Sequence, residues 1–271
     1  MSTCNVVKIS GKSGLRPWCN TVVATVLCVM FTGCGFISRV GSPSGDLNGS
    51  RSPGIAADER LVFDSKATAL KQQYAQSTRV LPRVDLGLTP EVQDELNRFL
   101  TRDRSTVTHI LTKGAETFGP MVKVLGDAGV PPELVSVAAV ESCLNTKAAS
   151  PAGAKGMWQF MKSTARVYGL KVERGTDERT DFVRSTEAAA KHLRDLFMAF
   201  QDWHLALAAY NAGRGAIGKL LSRTGEDDFW ELARGGHLPG ETRRFVPKVI
   251  ALSLIVNNPD QYGFEGYQAV G

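Results

Sequence analysis

A chain of 271 residues with 43% hydrophobic composition can bury one sizeable core and carry appendages. Its formal charge of +5 is unevenly placed: Lys8, Lys12 and Arg16 precede residue 34 with no acid among them, and the rest is close to balance. Nucleic acid, which asks for a concentrated basic surface, is excluded as a partner.

The front end predicts an export signal over residues 1–33. A basic stretch leads into the apolar run Thr21 to Phe31, too short to span a bilayer, which needs about 20 apolar residues. The following Phe31-Thr-Gly-Cys34 resembles the lipobox of bacterial lipoproteins, with Phe where Leu is usual. The resemblance implies cleavage before Cys34 and its lipidation, with membrane attachment through the acyl chains. An ordinary secretory leader or an uncleaved membrane segment is the plainer alternative. Cleavage would remove Cys4, Cys19 and Cys28 and leave Cys143 beside the blocked Cys34, so the mature body is expected to lack an internal disulfide. No cysteine pair has metal-ligand spacing, and neither a metal nor a cofactor is expected.

Residues 34–57 are rich in Gly, Ser, Pro and Asn and read as a flexible tether. Residues 58–114 form a helical extension, with an extended connector near Val80 to Val84. Thr89, Pro90 and Glu91 supply a cap, a first-turn proline and an early acid, and Val92, Leu96, Phe99 and Leu100 form one stripe behind them. Further helices are predicted from about Ser105 to Phe118, Pro120 to Asp127, Phe160 to Tyr168, Ser185 or Thr186 to Phe200, Trp203 to Tyr210 and Glu241 to Val256. The turn Gly129 to Glu133 launches one more, which ends at Glu141. Alternating strand patterns and internal repeats are not seen, and residues 259–271 are a short surface tail.

Three segments carry candidate chemistry. Glu141 follows Val137, Ala138, Ala139 and Val140 near a helix carboxyl terminus. A partly dry setting and the helix dipole both disfavour its charge, which suits a general acid. Ser142 beside it offers a hydrogen bond. The plain alternative is a solvated glutamate at a helix end. Next, the loop Ala148 to Gly156 leads into Met157-Trp-Gln-Phe160, where Gln159 could bond an acetamido group and Met157 could line an apolar subsite, while Trp158 and Phe160 read as core. In the third segment, Tyr210 and Asn211 emerge where a helix ends. The tyrosine either orients a carboxyl or is a satisfied core residue, and the asparagine either meets substrate or caps the helix.

Glu141-Ser142, Gly153 to Phe160, Asp177-Glu-Arg179, Ala208 to Gly213 and Glu241 to Pro247 occur in an order that resembles the catalytic domain of bacterial soluble-type (SLT) lytic transglycosylases, over about residues 115–258. The resemblance implies a mainly α, lysozyme-like fold of goose type and a glycoside-hydrolase family 23-like lyase. The substrate implied is the glycan strand of peptidoglycan. Glu141 would be catalytic, and Ser142, Met157, Gln159, Tyr210 and Asn211 would bind substrate. It implies non-hydrolytic cleavage of the MurNAc–GlcNAc β-1,4 bond with 1,6-anhydroMurNAc ends. Phe245 stands where the family commonly has tyrosine, and the LysM repeats of membrane-bound relatives are not seen after residue 258. The expected setting is periplasmic, lipid-anchored at the outer membrane, with wall-synthesis or remodelling proteins as candidate partners.

Two other readings remain at this level. A hydrolytic muramidase would need a second carboxylate, drawn from Asp177, Glu178 or Asp181, although Asp177-Glu-Arg179 fits a structural ion-pair cluster better. A peptidoglycan-binding lipoprotein without turnover is the other. Cys143 reads as a small buried filler rather than a thiol nucleophile.

Overall fold

The computed structural model describes residues 80–270. The expected leader, Cys34, the tether and residues 58–79 of the extension lie outside the described residues. What is described is predominantly α-helical: α1 (Pro90–Thr101), α2 (Arg104–Asp127), α3 (Val135–Ser142), α4 (Lys162–Val167), α5 (Phe182–Phe200), α6 (Trp203–Ala212), α7 (Arg214–Thr224), α8 (Phe229–Arg234) and α9 (Gly240–Asn257).

Helix α1 starts as its sequence dictates, with Thr89 Oγ1 accepting from Val92 N. Its stripe of Val92, Leu96 and Phe99 is buried and packs on α9. Two predicted helices over 105–127 are one, α2. Pro120 removes one intrahelical bond, but its ring faces solvent. The stripe Ile110, Gly114, Phe118, Met121 and Leu125 runs buried on both sides of it, so packing outweighs the lost bond. Helix α5 begins at Phe182, earlier than expected, because Asp181 accepts from Arg184 N at 2.8 Å and caps it there. Helices α7 and α8 had no sequence counterpart: α7 buries only Ile217 and Leu220, too few for a periodic signal, and α8 is six residues long. The one hairpin among the described residues, β1 (Val172–Glu173) with β2 (Thr176–Asp177), is likewise too short to show alternation.

Helix α9 organises the core. It packs against α1, α3 and α6, and it buries Phe245, Val246, Val249, Ile250, Leu252, Ile255 and Val256. Pro247 lies inside it and is buried. A fully buried side chain of this size contributes roughly 1.5–3 kcal/mol, and one continuous cluster joins Leu81 and Val92 to Phe264 and Val270. The tail therefore has buried anchors, with Arg104 held over the Phe264 ring at 4.3 Å.

An extended strap precedes α1. Leu81 N donates to Gly129 O at 2.8 Å, and Trp203 Nε1 donates to Pro82 O at 2.7 Å. The buried Glu133 accepts from Val84 N and Arg83 Nε through one oxygen, at 3.0 and 2.9 Å. His204 Nε2 meets Asp85 O at 3.0 Å and must donate, since a carbonyl only accepts. Glu133 sits just before α3, so the strap is bound to the base of the helix that carries Glu141. Glu133→Ala would orphan a buried backbone N–H. It is expected to cost about 1–3 kcal/mol, read as a lower urea midpoint with an unchanged slope.

Candidate active site

Helix α3 is buried along its whole length, and Glu141 lies in its last turn with 8% of its surface accessible. The carboxyl is sheltered yet reachable. Its pKa is raised to about 8, chiefly by burial, with the charge of Glu241 adding to the rise and Lys248 opposing it. The plain reading of Glu141 as a solvated glutamate is thereby excluded.

The chain leaves α3 through two consecutive left-handed residues, Cys143 (φ 51°) and Leu144 (φ 59°). Neither is glycine, and such conformations cost roughly 1–2 kcal/mol each for ordinary residues. Cys143 is buried, as a filler would be. It is disulfide-bonded. Ser142 spends its hydroxyl internally, donating to Met157 O at 2.8 Å and Ala138 O at 3.2 Å, and it accepts from Asn145 N. It thus ties the end of α3 to the following loop.

That loop is clamped from a third segment. The buried Arg179 donates to Gly153 O at 2.7 Å and Phe160 O at 3.0 Å, while its other nitrogens pair with Asp177 at 2.8 and 2.9 Å. Lys155 joins the same carboxylate at 3.1 Å, and these two cations hold Asp177 well below the usual carboxylate range. Gly156 is required here: its φ is +82°, and a Cβ would lie 1.7 Å from Arg179 O. Glu178 accepts from Lys171 N, and Asp181 caps α5, so all three carboxylates of this segment serve as structural acceptors.

Met157 and Trp158 are fully buried, and Trp158 Nε1 donates to Thr186 Oγ1 at 3.1 Å. Gln159 adopts φ 49°, bonds Gly156 O through Nε2 at 2.6 Å, and keeps Oε1 buried with no partner among the described residues. Tyr210 is satisfied by the backbone: its hydroxyl donates to Trp158 O at 2.7 Å. Burial and the charge of Glu141 keep its pKa well above normal, so it stays a neutral donor. Phe245 lies parallel to Tyr210, interplanar 3° at 6.5 Å, and is buried. Asn211 Oδ1 accepts from Thr242 Oγ1 at 2.8 Å, and its side chain also bonds Glu241.

Of the predicted residues, Glu141, Tyr210 and Asn211 converge with α9, while Ser142 and Met157 frame the loop from within. Glu241 was missed as a site residue. It reads in sequence as an ordinary first-turn acid of the last helix, and only the packing of α9 on α3 brings it to Glu141. Burial raises its pKa against the opposing effects of Asn211 and Lys248, and its Oε1 has no partner among the described residues. Among the described residues no His, Cys, Asp and Glu grouping has the makings of a metal site, and no helix is long and apolar enough to cross a membrane.

Two carboxyls with raised pKa values favour the protonated folded state, so stability falls as pH rises from the ordinary carboxyl range through about 8. Glu241→Gln should therefore gain thermal stability at pH 9 and little at pH 4. A gain of about 1 kcal/mol would read as roughly 2–4 °C.

The chain is similar to known proteins over much of this region. Residues 125–233 match the family described as Transglycosylase SLT domain. The chain is 39% identical over 180 residues to membrane-bound lytic murein transglycosylase D of Escherichia coli K12, covering 64% of this chain and 38% of that protein. It is 38% identical over 106 residues to the peptidoglycan transglycosylase gp16 of Escherichia phage T7, covering 38% of this chain and 8% of the phage protein. Among solved structures, an inactive mutant of the lytic transglycosylase Slt from Pseudomonas aeruginosa overlaps 53% of this chain and 24% of its own, at 23% identity and a TM-score of 0.45. The chain thus spans well under half the length of these relatives. Residues 125–233 match the SLT transglycosylase domain, and a longer stretch of the chain is related at moderate identity to the Escherichia coli transglycosylase D.

Proposed function

We propose that this protein cleaves the β-1,4 bond between N-acetylmuramic acid and N-acetylglucosamine in peptidoglycan without consuming water. The observation that carries the reading is Glu141, a buried carboxyl whose pKa of about 8 keeps it protonated at neutral pH. That is the property a general acid toward a glycosidic oxygen requires.

In this mechanism Glu141 gives its proton to the bridging oxygen as the bond to C1 of the muramyl residue breaks. Positive charge develops at C1, where the 2-acetamido carbonyl can assist. The C6 hydroxyl of the same sugar then attacks C1 and returns its proton to the Glu141 carboxylate. The products are a 1,6-anhydromuramyl end and a free N-acetylglucosamine end. An intramolecular nucleophile needs no second carboxylate to activate it and holds an entropic advantage over solvent.

The surroundings support these roles. Tyr210, a neutral donor fixed on Trp158 O, sets a rigid wall beside the acid. Gln159 Oε1 and Glu241 Oε1 are buried acceptors without protein partners among the described residues, suited to sugar hydroxyl or acetamido N–H groups. Asn211 holds Glu241, and Ser142 and Met157 position the glycine loop from behind. A hydrolytic muramidase is disfavoured because Asp177, Glu178 and Asp181 are already engaged. Attachment through Cys34 to the periplasmic face of a membrane, the outer membrane in the fullest reading, would place the domain against the wall.

Digestion of purified peptidoglycan with mass analysis tests the reaction. Muramyl ends lighter by one water than hydrolytic ends are expected, and hydrated reducing ends alone would refute it. Glu141→Gln should retain strand binding and lose activity by about 10²–10⁴-fold.

A further inference from the structure

Behind Tyr210 lies a titratable group that the mechanism does not use. His192, on α5, places its ring 5.2 Å from Tyr210, 4.8 Å from Tyr168 and 6.0 Å from Phe160. Its Nδ1 is buried with no partner among the described residues. The imidazole therefore fills the space between the tyrosine that borders Glu141 and the aromatic that ends the glycine loop. Tyr210 also neighbours Phe245, whose ring lies parallel to it at 6.5 Å, so the tyrosine ring has two aromatic neighbours besides its backbone bond.

We infer that His192 is a positioning residue for the reaction: its neutral imidazole wedges Tyr210 in place, and protonation of that wedge releases the tyrosine and turns the site off in acid. The inference rests on the reading of Glu141 and Tyr210 as the working site. The groups around the imidazole give a proton on it little support. Asp195, one turn along α5, is already bonded by the Tyr168 hydroxyl at 3.3 Å, and Arg214 of α7 acts on that same tyrosine. Tyr210 of α6 is neutral, and Glu141 of α3 holds its own proton. Phe160 has no charge to offer. Burial alone lowers the His192 pKa to about 4. The sign follows: an imidazole that must stay neutral when folded stabilises the domain above its unfolded value of about 6.5, and that stability is lost as pH falls toward 4.

The test is the pH dependence of peptidoglycan cleavage by the full chain from about pH 2.5 to pH 9, a window that brackets the His192 transition near 4, each profile normalised to its own maximum. His192→Phe keeps a ring and removes the titration, so its acid limb should move down by about one pH unit or more. His192→Ala, which empties the space, should lower kcat more than it changes KM. Coincident acid limbs for His192→Phe and the parent would overturn the inference. Should His192→Phe fail to fold, the parent's imidazole resonances decide: titration near 4 supports the wedge, and titration near 6.5 overturns it. Glu141→Gln run alongside separates the two levels. An active Glu141→Gln protein refutes the site and the wedge together, whereas an inactive one beside unmoved acid limbs refutes the wedge alone.

Discussion

The site depends on one costly placement: a carboxyl group held among apolar helices, close to a second carboxyl. Glu141 could lose its proton easily if water or a close cation compensated the charge. Instead α3 is buried throughout, Glu241 pushes in the same direction, and Lys248 offsets only part of it. The fold works against its own best stability here, as expected where a group must be kept ready to give up a proton. The rest of the helical core supplies what this placement costs.

Two devices keep the surroundings from relaxing around that acid. The first is the clamp of Arg179, which ties both ends of the glycine loop to Asp177 and Lys155. The second is strained backbone: of the four non-glycine residues with positive φ among the described residues, Cys143, Leu144 and Gln159 lie at the exit of α3 or in the loop facing it. Such geometry persists only when neighbouring contacts over-determine it. The Ser142 hydroxyl joins the two devices by bonding Met157 O.

Much of this was legible in the sequence, and the omissions have physical causes. The apolar run before Glu141 forecast a dry carboxyl, and the cap at Thr89 forecast α1, because both signals are local. The stripe across Pro120 shows the limit: local chemistry predicted a break, and long-range packing carried the helix through. Glu241 stands in a motif segment and His192 among the possible bases, yet neither takes a site role from sequence alone, because each becomes interesting only through a partner on another helix, Glu141 in one case and Tyr210 in the other. The hydroxyls of Ser142 and Tyr210 illustrate a subtler loss. Residue type predicted that each would bond something, yet only packing reveals that both bond loop carbonyls.

The central claim is a statement about one proton, so the most direct measurement follows that proton. Carbon-13 NMR of protein labelled at glutamate carboxyl carbons, with the Glu141 resonance assigned by its loss in Glu141→Gln, reports the titration of this side chain in the folded domain. The account expects a midpoint near 8. A midpoint in the ordinary glutamate range, near 4.3, would leave Glu141 ionised at neutral pH and the proposed acid without its proton.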